Sequence, residues 1–183
     1  MNTKKIIDTV CRMKNEFQTN NPFIICELAG ITVNFQSMGK QSDSCKGFFM
    51  RKCGLDFITI NSDLIEELQR LVAGHELGHW ALNPRSIPLN FSDDMFFDTT
   101  NDDEKEANYF AAELLLPDDE VLEAINSDLT YIRAAAILNV PREFMDLKLR
   151  LMSFKGYKLS PPMFALGNCF GGIEMKYNDD LPD

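Results

Sequence analysis

Two histidines, four residues apart, constrain this chain more than any other feature of its sequence. The 183 residues contain no other histidine, and both lie in a stretch that reads H-E-L-G-H from His75 to His79. If this stretch is helical, the two imidazoles lie one above the other on the same face and can bind one metal ion together. Glu76 then projects about 100° around the helix, within reach of a water on that metal. The motif therefore predicts a catalytic metal site on a helix.

The residues around the motif favour a long helix that carries both histidines near its end. Residues 61–63 offer a capping side chain, and apolar residues then repeat at three- and four-residue spacing. Pro84 requires the helix to end just before it. Gly74 and Gly78 each cost about 1 kcal/mol relative to alanine inside a helix. Their presence predicts that another element approaches the helix closely at this point.

The third metal ligand has to be a carboxylate or a cysteine, because no further histidine exists. A catalytic zinc typically has three protein ligands and one open position. The five cysteines form no CxxC pair, which disfavours a cysteine zinc site. The stretch from Asn101 to Leu116 has an acidic start and an apolar face, and Pro117 follows it. These features predict a second helix, on which a carboxylate ligand can lie.

Three glutamates of this second helix compete for the ligand role. On a helical wheel Glu104 lies within about 55° of the centre of the apolar face, whereas Glu106 and Glu113 lie more than about 100° away, towards solvent. A carboxylate on a buried face is costly unless a positive charge meets it, so Glu104 is the candidate ligand. The alternative is that Glu104 only stabilises the helix start through the helix dipole. Asn108, one turn further on, is placed to accept the other ring N–H of a ligand histidine.

These motifs resemble the ImmA/IrrE family of metallo-endopeptidases. The likeness rests on residues 58–62, on H-E-L-G-H, and on the run from Glu104 to Pro117, which reads E-K-E-A-N-Y-F-A-A-E-L-L-L-P. It spans roughly residues 20–120 and, more weakly, the helical segment that follows. The combination of these motifs is far more specific than H-E-x-x-H alone.

The resemblance implies a zinc-dependent endopeptidase of the gluzincin-like type. Carried over position by position, it implies that His75, His79 and Glu104 hold one zinc ion per chain and that Glu76 is the general base. Members of the family cleave, or promote the loss of, a helix-turn-helix repressor in phages, mobile elements and stress responses, so a repressor is the implied substrate. Two alternatives stay open. One is a metal-containing regulatory module that binds a repressor without cutting it, and the other is a DNA-binding regulator.

The pattern of apolar residues predicts an α+β fold. Helices are expected at residues 4–18 and 23–28, and strands at residues 31–35, 47–51 and 55–61. We expect the strands to form a small antiparallel three-stranded sheet, packed on the zincin-type active-site helix and on the second, ligand-bearing helix. A helical, helix-turn-helix-like segment follows them.

The last predicted strand carries the candidate substrate-binding residues Phe57, Ile58, Thr59 and Ile60. The resemblance implies that an edge strand beside the metal binds the substrate backbone by adding it to the sheet. The alternative is that this strand is covered by neighbours on both sides, which would leave its backbone no free hydrogen-bonding groups for a substrate.

Three regions follow along the chain: a metalloprotease domain at residues 1–120, a helical segment packed on it at residues 121–160, and an extension with an acidic tail at residues 161–183. The long connection at residues 83–103 either gates the cleft or simply buries aromatic side chains. Residues 127–160 carry six basic and three acidic side chains. They either contact DNA or an acidic partner, or serve as a helical support for the protease core.

The overall charge limits the classes of partner. A net charge of −10 argues against binding to nucleic acid or to an anionic membrane surface. No apolar run approaches the roughly 20 residues that cross a bilayer, and the charged residues near the N-terminus argue against a signal peptide. Five irregularly spaced cysteines are typical of reduced thiols. We therefore expect a cytoplasmic protein whose partner is a protein substrate.

Overall fold

The structure, a computed structural model, describes residues 1–41, 43–82, 102–126 and 130–159. Most of the predicted 83–103 connection and the whole predicted extension lie outside these ranges. Within the described residues the chain forms seven helices and three strands. The helices are α1 (Thr3–Phe17), α2 (Pro22–Leu28), α3 (Glu66–Leu82), α4 (Asp102–Leu115), α5 (Asp118–Asn126), α6 (Tyr131–Ile137) and α7 (Arg142–Phe154). The strands are β1 (Thr32–Gln36), β2 (Gly47–Lys52) and β3 (Leu55–Asn61).

The three strands form one sheet in the order β1-β3-β2, which confirms the α+β class and the three-stranded sheet. β2 and β3 pair antiparallel through a tight turn at Cys53 and Gly54, whose φ values are 52° and 77°. β1 pairs parallel with β3, so the sheet is mixed and the expectation of an antiparallel sheet is corrected at this strand. The reason is the connection of residues 37–46, which is long enough to carry the chain past the position of β3 before β2 begins.

Among the described residues, β2 pairs with β3 alone, so its other edge has no sheet partner there and is called the free edge. The backbone N–H of Asn61 donates to the carbonyl oxygen of Lys46 at 2.9 Å, which makes these two residues a hydrogen-bonded pair. Bonded and non-bonded pairs alternate along an antiparallel ladder. The pair of Phe49 and Ile58 is therefore non-bonded. The N–H and C=O groups of Phe49 consequently point away from β3, towards the free edge.

α3 lies between the sheet and α4 and contacts both. On the sheet side, a Cβ atom added to Gly47 would lie 2.5 Å from Cγ1 of Val72 and 2.7 Å from the carbonyl oxygen of Thr59. Glycine is therefore required at the start of β2, because this strand passes so close to α3. Buried apolar side chains of α1, α3, α4, α7 and the sheet form one continuous core.

The helix-turn-helix-like segment is observed as α6 and α7, but its second helix is buried. In α7 the residues 143–149 and 151–152 are all buried, and the helix packs against α4 and α6. A DNA-reading second helix has to present one face to the groove. The burial of α7 therefore favours the helical-support interpretation of this segment. None of the helices in the described part of the chain combines the length and the apolar character that a membrane span requires.

Candidate metal centre

α3 carries both histidines in its buried C-terminal half, where His75 is fully buried and His79 is 5% exposed. The helix begins at Glu66, a few residues later than the sequence predicts. Asp63, a predicted capping residue, instead accepts hydrogen bonds from the Ser37 hydroxyl and the Gly39 N–H, both at 2.8 Å. The start of α3 is thus displaced because this carboxylate stabilises the preceding loop.

The two glycines of α3 let α4 approach closely, which confirms the contact predicted for them. A Cβ atom added to Gly78 would lie 3.0 Å from Cα and 3.1 Å from the carbonyl oxygen of Ala107. A Cβ atom added to Gly74 would lie 3.0 Å from Cδ1 of Leu115. This close packing brings the first turn of α4, with its acidic residues, beside the imidazoles of α3.

The side chains of His75, His79 and Glu104 meet at one point. The distance between the two Nε2 atoms is 3.0 Å, and Oε2 of Glu104 lies 3.1 Å from Nε2 of His75 and 3.4 Å from Nε2 of His79. Among the described residues, these three form the one group of His, Cys, Asp or Glu side chains placed to hold a metal ion. Their role as ligands remains a prediction.

The donor set at this point fits a tetrahedral divalent cation. Oδ1 of Asn108 lies 3.0 Å from Nδ1 of His75. An amide oxygen can only accept, so the hydrogen is on Nδ1 and Nε2 directs a lone pair at the Glu104 carboxylate. Two acceptors about 3 Å apart repel each other unless a cation lies between them, which is either a metal ion or, without one, a proton on the imidazole. Ligand atoms on a tetrahedral zinc with bonds of about 2.0–2.1 Å lie about 3.3 Å apart, close to the three observed distances.

The ionised carboxylate of Glu104 and the protonated form of the nearby imidazoles stabilise each other. Burial acts to raise the pKa of Glu104, but contacts with His75 and His79 outweigh it, and the pKa lies well below its ordinary value. Burial acts to lower the pKa of His79, but the hydrogen bond with Glu104 and the nearby carboxylates raise it. Glu104 therefore stays ionised, as a metal ligand must be.

Glu76 lies beside this point and is only 2% exposed. Its burial raises the pKa of its carboxyl group, although the two histidines and a hydrogen bond from the backbone N–H of Phe49 act in the opposite direction. Because Phe49 belongs to β2, this hydrogen bond joins Glu76 to the edge strand of the sheet. A buried carboxyl with a raised pKa next to candidate metal ligands is typical of a proton-transferring group.

The prediction that the substrate-binding strand lies at an edge of the sheet is wrong, because β3 is the central strand. Phe57, Ile58, Thr59 and Ile60 are paired with β1 on one side and with β2 on the other. Their backbone groups are therefore taken up inside the sheet, which is the alternative that the sequence left open. The edge beside the histidines is β2.

Glu113, predicted to face solvent, is instead 6% exposed and belongs to a buried charge cluster with Asp118, Lys148 and Lys155. Nζ of Lys148 lies 2.7 Å from Oε2 of Glu113 and 2.5 Å from Oδ1 of Asp118. Lys155 pairs with both carboxylates. The signal for this cluster in the sequence is Lys148, which stands within the apolar stretch of α7.

Comparison with known proteins identifies relatives over most of the chain. The family model of the IrrE N-terminal-like domain, a peptidase family, matches residues 26–150. The uncharacterized immunity region protein 2 of Bacillus phage phi105 is 32% identical over 139 residues, which are 76% of this chain and 85% of the relative. The metallopeptidase ImmA of Bacillus subtilis strain 168 is 31% identical over 160 residues, which are 81% of this chain and 87% of the relative. The chain therefore belongs to the ImmA/IrrE family of metallopeptidases, as the sequence motifs suggested.

Proposed function

We propose that this protein is a zinc-dependent endopeptidase that hydrolyses a peptide bond in a regulatory protein. The observation that carries the proposal is the convergence of His75, His79 and Glu104 within 3.4 Å, with buried Glu76 beside them. Two imidazoles and one carboxylate are a ligand set of catalytic zinc that leaves a fourth position open. A structural zinc, in contrast, is usually enclosed by four protein ligands.

His75, His79 and Glu104 would hold the zinc, and Glu76 would be the catalytic base. A bound zinc ion supplies Lewis-acid polarisation of the scissile carbonyl and acidifies water. Glu76 accepts the proton of the attacking water and afterwards donates it to the leaving amine nitrogen. The raised pKa of Glu76 favours the first of these steps. Asn108 would keep His75 in the tautomer whose Nε2 is available to a metal ion.

The free edge of β2 is the proposed binding place for the substrate backbone. The N–H and C=O groups of Gly47, Phe49 and Arg51 point away from β3, because these residues occupy the non-bonded pairs of the ladder. A peptide added as a further strand would hydrogen-bond along this edge. Two of its groups already have partners, because the N–H of Phe49 donates to Glu76 and the carbonyl oxygen of Gly47 accepts from the Cys45 thiol at 3.6 Å. The contact of Phe49 with Glu76 places this edge next to the proposed catalytic base.

The proposed substrate is a helix-turn-helix repressor of a phage, a mobile element or a stress response, cleaved in the cytoplasm. This proposal rests on the family and on the relatives, of which one is named as a metallopeptidase and another as a phage immunity region protein. The buried state of α7 and the pairing of its Lys148 favour a peptidase over the alternative of a DNA-binding regulator.

The second candidate function is a regulatory module that binds a repressor without cutting it. The variant Glu76→Gln discriminates between the two, because a non-proteolytic module does not need this carboxylate. We expect Glu76→Gln to retain about one zinc per chain by elemental analysis and to lose cleavage of candidate repressors, followed by mass spectrometry. Glu67→Gln, at an exposed position of the same helix, is the matched control and should cleave normally. Cleavage by Glu76→Gln at the wild-type rate would contradict the peptidase assignment.

A further inference from the structure

Asp56 connects three elements at the end of the sheet nearest the last turn of α3. Its Oδ1 lies 2.5 Å from Nε of Arg51, and its Oδ2 lies 2.7 Å from Nη2 of the same guanidinium. Oδ2 also accepts a hydrogen bond of 2.7 Å from Nε1 of Trp80. Arg51 belongs to β2 and Trp80 to α3, while Asp56 itself belongs to β3. A single carboxylate thus joins the free edge strand to the metal helix.

This connection is the last of three along the length of α3. β2 approaches the helix closely at Gly47, donates to Glu76 through the N–H of Phe49, and is joined to Trp80 through Asp56. Successive connections are two residues apart along the strand, or about 6.8 Å, and four residues apart along the helix, or about 6 Å. The two elements therefore run side by side, and the third connection lies beyond the candidate metal ligands.

Trp80 directly follows His79, so the third connection acts next to a candidate ligand. The side chain of Asp56 is 17% exposed, and the strong hydrogen bonds from Arg51 and Trp80 hold the pKa of its carboxyl group below the ordinary value. The carboxylate is therefore ionised and paired. If it is removed, the indole N–H loses this acceptor and the guanidinium loses this carboxylate. A second hydrogen bond to the last turn of α3, from Lys5 to the carbonyl oxygen of Leu82, lies on another element and would remain.

We propose that Asp56 is a positioning residue of the metal centre. It sets the separation between the free edge of β2 and the last turn of α3, and through Trp80 it fixes the orientation of His79. This inference rests on the proposed function, because it presumes that His79 is a metal ligand. Displacements of about 1 Å at residues remote from the chemistry are enough to impair a catalytic site.

The experiment compares zinc affinity in the whole protein, measured by competition with a chromophoric chelator. Asp56→Ala and Trp80→Phe each break the connection, and Trp80→Phe does so while keeping an aromatic ring against the helix. Asp63→Ala is the matched control, because Asp63 is a buried carboxylate just after β3 whose hydrogen bonds go to Ser37 and Gly39 in the loop after β1. Thermal melting of the metal-free variants records the purely structural effect of each change.

We expect Asp56→Ala and Trp80→Phe to weaken zinc binding about tenfold, the low end for groups that orient metal ligands. Asp63→Ala should lower the melting temperature and leave zinc affinity unchanged. Trp80 is the single tryptophan of the chain, so its emission should shift to longer wavelength in Asp56→Ala as the indole loses its partner. If the wild type binds one zinc and both variants bind it equally well, the proposed role of Asp56 is overturned, whereas the proposed function is not affected. If wild type binds no zinc, the proposed function falls and this inference falls with it.

Discussion

Oδ1 of Asn108 lies 3.0 Å from Nδ1 of His75, so that α4 orients an imidazole of α3 through a buried hydrogen bond. The two residues are 33 positions apart, and the contact exists because the glycines of α3 let α4 approach. The same helix face presents Glu104 one turn earlier. One turn of α4 thus provides both a candidate ligand and the group that orients another.

We expect Asn108→Ala to weaken zinc binding about 10- to 100-fold, because His75 loses the acceptor that fixes its tautomer. The measurement is competition with a chelator of known affinity. Asn34→Ala, at an exposed position of β1, is the control and should bind zinc as the wild type does. Unchanged affinity in Asn108→Ala would show that His75 is oriented by other groups.

Two glutamates of α4, two residues apart, should behave differently when each is replaced by glutamine. Glu104→Gln removes the charge that faces the imidazoles, so we expect the zinc content of the purified protein to fall well below one per chain. Glu106→Gln changes a side chain that accepts a hydrogen bond from the Asn2 N–H, away from the imidazoles, and its zinc content should stay at the wild-type level. Elemental analysis of both proteins decides the matter, and equal zinc contents would refute Glu104 as a ligand.

The helical wheel predicts Glu104 and fails for Glu113, and the packing of α4 explains both results. A wheel assigns one buried face per helix, and α4 does present Glu104 to the histidines of α3 on that face. α4, however, also packs against α1 and α7, so its opposite side is buried as well. Glu113 is stabilised there by Lys148, a residue 35 positions away that a local pattern cannot place.

The strand order is the other feature that the sequence leaves undetermined. Residues 55–61 are predicted as a strand, and this strand is observed. The residues of a strand do not by themselves report which neighbouring strands its backbone bonds to. The order depends on how far the connection of residues 37–46 reaches, so β3 became the central strand and β2 the edge.

The two glycines that face α4 should respond differently to alanine. In Gly78→Ala the new methyl meets the backbone of Ala107, which cannot move aside, so we expect a loss of about 1–3 kcal/mol in the free energy of unfolding. In Gly74→Ala the methyl meets the end of the Leu115 side chain, which can rotate, and the gain in helix propensity of about 1 kcal/mol offsets the contact. Urea unfolding of the metal-free proteins measures both, and equal stabilities would contradict the close approach at Gly78.

Lys148 should be among the most sensitive positions outside the metal centre. Its ammonium is fully buried and pairs with Glu113 and Asp118, so Lys148→Met removes the buried cation from both carboxylates. Lys155 still pairs with both of them, and the Tyr157 hydroxyl still hydrogen-bonds Asp118. Breaking a buried ion pair in this way costs about 3–5 kcal/mol. We expect a loss of this size in urea unfolding, whereas the exposed Lys158→Met should have a negligible effect. A loss near zero for Lys148→Met would mean that the cluster contributes little to stability.

The same cluster predicts a loss of stability in acid. Burial acts to raise the pKa of Asp118, but hydrogen bonds from Lys148 and Lys155 outweigh it, and the folded-state pKa lies below the ordinary value of 3.8. A depressed carboxyl pKa contributes stability that is present above the unfolded-state value and is lost as the pH falls through the folded-state value. The free energy of unfolding should therefore decrease from about pH 4 downwards.

The test of this acid sensitivity is urea unfolding at several pH values between neutral and strongly acidic conditions. Asp118→Asn cannot lose a proton, so we expect it to be less stable than the wild type at neutral pH and to approach the wild type in acid. Asp8→Asn, on the solvent-exposed side of α1, should run parallel to the wild type throughout. If the curve of Asp118→Asn also runs parallel to the wild type, the pairing of Asp118 with the two lysines does not stabilise the folded protein.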